Sequence, residues 1–465
     1  MSIFSALGSA LRGTPQTAQP AVDISYALFE SYAHAFGVHC AESANMLRAI
    51  SIWNAVYQRS KTQVMKLVCK EAAKLTLTDL SLTIEPDQNN KATALFTEFV
   101  SNFEAELQRF IEQGIALGGL MLKPSETGII FVSPLNFVPI AYDSHGNINS
   151  VIFVEHAVRG DMLYTKLEYH HRDAERNYVI STLCFKSKDR AHLGYACMLS
   201  EIPEWETINA QVIIEDLDTP LYTYFRMPGT NNVDEESNCG LSLCSSALEY
   251  ITTFDDTFKL FKKDLELSQK KVFVDDTSLI DTNKNLPGGK SFRHNPLPDL
   301  MVGIVGGGDS VKIFDPKSAV DDYKTALQLL LNMISTACGF TSGYFTFTAD
   351  GGVAVTATQI ESEDQVTVST VVAIRKNLEN AIKRVLLQQA KLIMLYSDDN
   401  IAYNFTFYAR DLSATPIADR EHTMQLVKDG LYPLRLYLKE YEGLSDDEIT
   451  AFLAERAANT GVAAV

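Results

Sequence analysis

The chain has 465 residues, 46% of them hydrophobic and 21% charged, with a formal net charge of −18. That composition supports a large core in two or three domains and excludes a disordered chain. The acidic balance excludes a general nucleic-acid binder, which needs clustered Lys and Arg; it fits a wall that repels DNA, although solubility is the commoner reason for such charge.

The seven cysteines (Cys40, Cys69, Cys184, Cys197, Cys239, Cys244, Cys338) are odd in number and form no C-x-x-C pair, so a reduced protein with thiols as small core residues is expected. Met1 to Gln16 lacks a basic start, so no signal peptide is expected. No apolar run approaches the roughly 20 residues of a membrane span.

In chain order, residues 1–43 read as an N-terminal arm, loosest over the first 20 residues. Ala44 to Leu75 has a helical pattern, with Trp53 and Tyr57 on one face. Ala92 to Leu117 predicts an amphipathic helix through Leu95, Phe96, Phe99, Phe103, Leu107, Phe110 and Ile115, stopped by Gly118 and Gly119. The period then changes: Gly128–Ile140, Ser150–His156, Met162–His170, Tyr178–Lys186 and Leu221–Met227 read as strands, with Ser144-His145-Gly146-Asn147 as a turn. The fold class is therefore α+β.

Ser245 to Lys271 predicts one long helix with the stripe Ala247, Ile251, Phe254, Phe258, Phe261 and Leu265, and with Asp255–Lys259 and Glu266–Lys270 as i,i+4 pairs. Val272 to Phe314 loses helical period and reads as a turn-rich insertion. A second helix is expected from Asp315, as N-cap, with Pro316 following; Tyr323, Leu327, Leu330 and Ile334 lie on one side, and Gly339 ends it. Phe340 to Val355 alternates around Asp350-Gly351, a hairpin signal that sets Phe347 opposite Ala354 and Phe345 opposite Thr356. Thr356 to Tyr396 holds no Pro or Gly and predicts a helix of about 60 Å with the stripe Val371, Ile374, Leu378, Ile382 and Val385. A strand, Tyr403–Tyr408, and helical segments at Ile417–Asp429 and Ser445–Ala457 complete the chain. Long apolar stripes on paired helices suggest packing against neighbouring subunits.

Candidate reaction chemistry is sparse. Gly289-Lys290-Ser291 ends like a phosphate loop, but residue 284 is Lys where the first Gly belongs, and Pro296 and Pro298 oppose a following helix. Gly303 to Gly308 reads as a flexible loop. Glu168, His170, His171 and Asp173 are the densest cluster of possible metal ligands; Glu168 and His170 share a strand face while His171 points away, and the cluster reads better as a solvated strand end. The carboxylate pairs Asp216–Asp218 and Asp255–Asp256 read as solvated faces.

The order of elements resembles the portal proteins of tailed bacteriophages, from about Leu47 to Arg456. The matches are Trp53-Asn54-Ala55-Val56-Tyr57, Ile115 to Gly119 followed by Leu122-Lys123, Phe225-Arg226 with Gly240-Leu241-Ser242 and Ile251 to Asp256, Thr356-Ala357-Thr358-Gln359-Ile360, and Gly430-Leu431-Tyr432 with Leu444 to Ala457. Thr356 to Ile360 is similar to the family's T-A-T-E-[VI], with Gln359 in place of Glu.

The resemblance implies a portal fold: a mixed α/β wing (44–244), stem helices (245–271 and 315–339), a small α/β clip (272–314), a tunnel loop (340–355), a long helix with a wing-returning strand (356–410) and a helical crown (411–465). It implies a homo-oligomeric ring, typically of twelve subunits, at one capsid vertex of the virion, assembled in the bacterial cytoplasm. The ring would pass double-stranded DNA during packaging and ejection. Its partners would be the terminase large subunit, a head-completion or adaptor protein, and the major capsid and scaffolding proteins, with no membrane. No catalysis, cofactor or metal is implied, since the family's ATPase is the separate terminase.

Under that resemblance Tyr344, Phe345, Thr346, Phe347, Thr348, Asp350, Gly351, Gly352 and Val353 would face DNA. Ile251, Phe254, Phe258, Phe261, Leu327 and Leu330 would pack between subunits, and Asn285, Lys290, Arg293 and His294 of the clip would meet partners. Tyr344 to Val355 carries no Lys or Arg, so the loop would touch DNA by shape without holding phosphate. The alternatives are a nucleotide-dependent DNA motor and a virion structural protein without a channel.

Overall fold

A computed structural model describes residues 25–78, 80–86, 90–215, 217–268, 271–274, 300–302, 311–314, 319–346, 357–396, 401–409, 423–429, 432–441, 449–450 and 452–453. Helix α1 (Tyr26–His34) starts on Ser25, whose hydroxyl accepts from the Leu28 amide. Its Leu28, Phe29, Tyr32 and Ala33 pack with Val138, Ile152, Val154 and Leu167 of the largest sheet. Residues 25–43 are thus part of the folded body, which corrects the assignment of the whole of 1–43 to an arm.

The expected helix over 44–75 is two helices, α2 (Ala44–Arg59) and α3 (Val64–Leu77). The chain breaks between them, where Gln63 takes φ +54° without a Gly or Pro to announce it. Helix α4 (Lys91–Leu117) matches the predicted amphipathic segment. Asn90 caps it by accepting from the Thr93 amide, and Gly118 at φ +88° ends it.

Gly118 also meets Gly240 backbone to backbone. A Cβ on either would lie 2.2 Å from the other's carbonyl oxygen. The Gly118 carbonyl accepts from the Met227 amide, and that of Ile115 from Leu243. The close approach lets the chain run from α4 directly into strand β2 (Gly119–Ser125) while the 240–244 segment passes over the joint.

Strand β2 lies between β10 (Thr223–Arg226) and β3 (Gly128–Val132) in a three-stranded antiparallel sheet. The largest sheet has the order β4 (Phe137–Tyr142), β5 (Ile148–Arg159), β6 (Met162–Arg172), β7 (Tyr178–Ser187) and β8 (Tyr195–Cys197), with β9 (Gln211–Ile214) also on β7. The turn at 143–147 is held by the Asp143 carboxylate, which accepts from the His145 and Asn147 amides. Strand β1 (Leu80–Pro86) pairs antiparallel with β14 (Tyr403–Ala409), so the return strand expected near the C-terminal end closes on a strand near the start.

Helices α5 (Leu248–Leu267) and α6 (Val320–Ala337) form a packed pair. Between them in sequence lie β11 (Lys271–Val274), β12 (Leu300–Val302) and β13 (Val311–Phe314), a three-stranded sheet in which β12–β11 is parallel and β11–β13 antiparallel. Because Lys271 pairs with Phe314, this sheet continues from the open end of the helix pair. Helix α5 stops at Leu267, not Lys271, and α6 starts at Val320 from Ala319; the expected Asp315 cap lies outside the described residues.

Helix α7 (Ala357–Tyr396) runs 40 residues, about 60 Å. Its stripe Val371, Ile374, Leu378, Ile382 and Val385 is buried, the last four in the main core, and the helix packs on α3, α4 and the β2 sheet. Arg375 donates to the carbonyls of Leu75, Thr76 and Thr78, satisfying the orphan acceptors at the end of α3. Residues 423–428 are helical, and α8 (Leu434–Tyr441) packs with them and Ile449 in a small separate cluster. Among the described residues no helix is long and apolar enough to cross a membrane.

Candidate functional site

The α5–α6 pair, the segment that leaves α6 and the start of α7 are where sequence reasoning put the function. On α5 the apolar stripe divides. Ile251 and Phe254 are buried, with Leu327, Leu331 and Ile334 of α6, inside this chain's own core. Phe261 packs its ring 5.5 Å from that of Tyr323 and 6.2 Å from that of Phe258. Ile251, Phe254 and Leu327 are therefore spent within this chain's own fold, and Leu330 is half-buried. For Ile251, Phe254 and Leu327 alone this corrects the assignment to contacts between subunits: a stripe at three-four spacing faces the partner helix first.

The apolar side chains left bare are others. Leu260 is 56% exposed, Phe258 42% and Leu329 60%, with Leu265, Leu267 and Met333 also exposed. Both helices of the pair thus present apolar groups to the outside, beyond the seam that joins them.

Asp255 does not pair with Lys259. Its carboxylate accepts from the Ser60 hydroxyl at 2.8 Å, the Thr62 amide at 3.2 Å and the Thr62 hydroxyl, in the joint between α2 and α3. The helix pair is fixed to the body there. Lys270, the expected partner of Glu266, lies outside the described residues.

The end of α6 follows the expectation at Gly339. Its φ is +74°; its amide donates to the Thr336 carbonyl at 3.1 Å and that of Phe340 to Ser335 at 2.9 Å, the paired bonds of a Schellman ending. Phe340, Tyr344 and Phe345 then form an aromatic cluster with ring centroids 5.0 to 5.2 Å apart. Tyr344 donates its hydroxyl to Glu71 at 3.1 Å. Gln328 of α6 donates to the Phe345 carbonyl and accepts from the Thr346 hydroxyl. The first three residues of the expected DNA-facing loop are therefore its anchor: Phe345 is buried, and only Thr346 of the three is exposed. Phe347, Thr348, Asp350, Gly351, Gly352 and Val353, with the hairpin expected there, lie outside the described residues, as do Asn285, Lys290, Arg293, His294 and both glycine-rich stretches.

The Glu168 cluster is not a solvated strand end. Glu168 and His170 share a face of β6, as expected, but that face is buried. Glu168 accepts from Lys123 of β2 and is bonded to His170 Nε2, and His170 Nδ1 is 2.7 Å from the Tyr178 hydroxyl. The Leu221 amide donates to that same hydroxyl at 3.0 Å.

Burial raises the Glu168 carboxyl, but Lys123 and His170 outweigh it and hold it well below the usual carboxylate range. Burial lowers the pKa of His170, which favours the neutral ring, with Nε2 facing Glu168 and Nδ1 facing the Tyr178 hydroxyl. Glu168 Oε1 and both ring nitrogens of His170 are thus engaged by protein partners, and the cluster links two sheets. Lys123 gave no local signal, because its partner is 45 residues away on a strand of another sheet. His171 lies off this face and stacks on Tyr169 at 4.3 Å.

All seven thiols are free. Cys69, Cys244 and Cys338 are buried together, with Sγ–Sγ distances of 3.9 and 3.7 Å about Cys244, where α3, the approach to α5 and the end of α6 meet. A cleft of 490 Å³ between the largest sheet, β10 and α7 is lined by Arg172, Arg226 and Arg384, among others. Arg172 donates to the Asp218 carbonyl and Arg384 to Asn147, so these two guanidinium groups join elements across the cleft. No protein-family profile matches this chain, and no curated protein matches it in sequence.

Proposed function

We propose that the chain is one subunit of a portal ring, the channel through which DNA enters and leaves a capsid at a single vertex. The observation that carries this reading is the α5–α6 pair. It holds a small sheet at its open end and keeps Phe258, Leu260, Leu265, Leu267, Leu329 and Met333 exposed on its outer faces. Exposed apolar rows on both helices of a pair favour repeated side-by-side packing, and a heterologous contact whose rotation closes makes a ring.

Three features support the reading further. The order of described elements agrees with the order expected from the resemblance: mixed sheets, helix, small sheet module, helix, 40-residue helix, returning strand. The loop follows a rigid helix ending and is held at its first residues by Gln328 and Glu71, which suits a short element moving against a fixed stem. The net charge of −18 suits a wall that DNA passes without being gripped. On this reading the ATPase, the adaptor, and the capsid and scaffolding proteins are separate partners, and the subunit itself carries out no chemistry.

Electron microscopy of the purified protein, with sedimentation analysis, tests the proposal. Ring-shaped particles with an axial hole are expected, and a monomer at every concentration overturns it. Leu260→Asp and Leu329→Asp, both at exposed positions, should lower ring yield while leaving the helical content of the subunit unchanged.

A further inference from the structure

Glu30 and His34 stand one turn apart on α1, and His39 returns against them after Gly37, at φ +73°, turns the chain. Glu30 Oε2 lies 3.6 Å from His34 Nε2 and 3.8 Å from His39 Nδ1, and the three atoms are all within 4.8 Å of one another. Four ligands at about 2.0–2.1 Å around a tetrahedral ion are separated by roughly 3.4 Å, so the three atoms need only small rotamer changes to close on one ion.

The surroundings are arranged as for a ligand set. The Tyr26 hydroxyl donates to Glu30 Oε1 at 2.6 Å, which orients the carboxylate and leaves Oε2 inward. That Oε2 is buried and makes no hydrogen bond. The backbone on both sides of His39 is fixed: Val38 and Cys40 pack against the α1 cluster, and the Ala41 amide donates to the Pro139 carbonyl at 2.9 Å. The two rings meet edge to face with centroids 4.9 Å apart. His34 and His39 are 58% and 80% exposed while Glu30 is 18% exposed, so the site opens to solvent on one side.

We propose that Glu30, His34 and His39 bind a divalent transition metal of the zinc class, with a water in the fourth position. Two imidazoles and one carboxylate suit Zn(II) and its neighbours, whereas Mg(II) and Ca(II) prefer oxygen alone. Tyr26 is a positioning residue, acting through Glu30. The ion would tie the end of α1 to the 38–41 segment and so to the largest sheet. The proposal stands apart from the ring reading, since it uses residues of α1 and the segment after it and none of the α5–α6 pair.

Zn(II) titration by calorimetry, and Co(II) titration read by visible absorption, test it on tag-free, chelator-treated full chain. One equivalent of Zn(II) is expected per chain, with a tetrahedral Co(II) spectrum. His39→Ala should abolish the spectrum and weaken Zn(II) binding at least tenfold, with unchanged circular dichroism. Glu30→Gln should do the same, and Tyr26→Phe should keep the spectrum with binding weakened about tenfold. No Co(II) spectrum in the wild-type chain, or Zn(II) binding unaltered by His39→Ala and Glu30→Gln, overturns the proposal.

Discussion

Asp255 on α5 accepts hydrogens from Ser60 and Thr62 in the joint between α2 and α3, so the α5–α6 pair is clamped to the body one turn beyond buried Ile251. Hydrogen bonds to a charged acceptor contribute about 1.5–3 kcal/mol each. Asp255→Ala should therefore lower the unfolding free energy by at least about 2 kcal/mol and loosen the α5–α6 pair before the sheets. Amide exchange resolved by segment checks this. Protection lost equally everywhere would count against a local clamp.

The Gly118–Gly240 contact leaves no room for a methyl group. Gly240→Ala should cost about 1–3 kcal/mol through forced backbone displacement, read as a lowered melting temperature. Gly160→Ala meets nothing within 4 Å but sits at φ +59°. It should carry only the smaller penalty of its left-handed conformation, and comparing the two variants separates crowding from strain.

The buried histidines set a direction for acid sensitivity. Burial lowers His156 to about 4, against an ordinary value near 6.5, and lowers His170 as well. Both are held neutral in the fold. Their contribution is complete above about pH 6.5 and is lost as pH falls toward the folded value, because the unfolded chain takes up the proton first. For His156 this amounts to about 3 kcal/mol by pH 4. Glu168, depressed by Lys123, adds a loss below the ordinary carboxylate value. Melting temperature should fall from pH 6.5 to 4, and His156→Gln should flatten that slope.

Lys123→Met leaves Glu168 buried without its cation. Breaking such a pair from one side costs about 3–5 kcal/mol. Lys123→Met combined with Glu168→Gln should recover part of the loss, and a double-mutant cycle measures how much.

Arg375→Ala removes three hydrogen bonds to the end of α3. It should destabilise the protein by about 2–4 kcal/mol. Arg375→Lys should rescue little, because an ammonium cannot spread its donors over three carbonyls as the planar guanidinium does.

Elements whose signal is local were legible in the sequence. Helix α4 and the end of α6 at Gly339 were readable because a three-four stripe and a left-handed glycine act on their own neighbours. The 40-residue α7 was readable from its unbroken lack of Gly and Pro. What failed depended on distant partners. Strand β1 follows a helix and becomes meaningful only against β14. Helix α1 is stable because the largest sheet receives Leu28, Phe29 and Tyr32. The α5 stripe looked like an interface because periodicity gives a face and not what covers it; α6 covers Ile251 and Phe254, leaving Leu260 and Leu329 bare. The reading of Glu168 and His170 as solvated failed for the same reason: they share a strand face that another sheet covers, where Lys123 and Tyr178 satisfy them, while His39 comes near Glu30 only after a turn.

The β1–β14 pairing has a consequence for how the protein is made. Leu80 pairs with Ala409, so most of the described chain is synthesised between the two strands. On the ribosome β1 emerges early with its partner not yet translated, and its ladder closes only after α7 has left the exit tunnel. The β1–β14 sheet therefore closes late, and a chain truncated before Tyr403 would leave β1 an open edge, exposed to pairing with other chains.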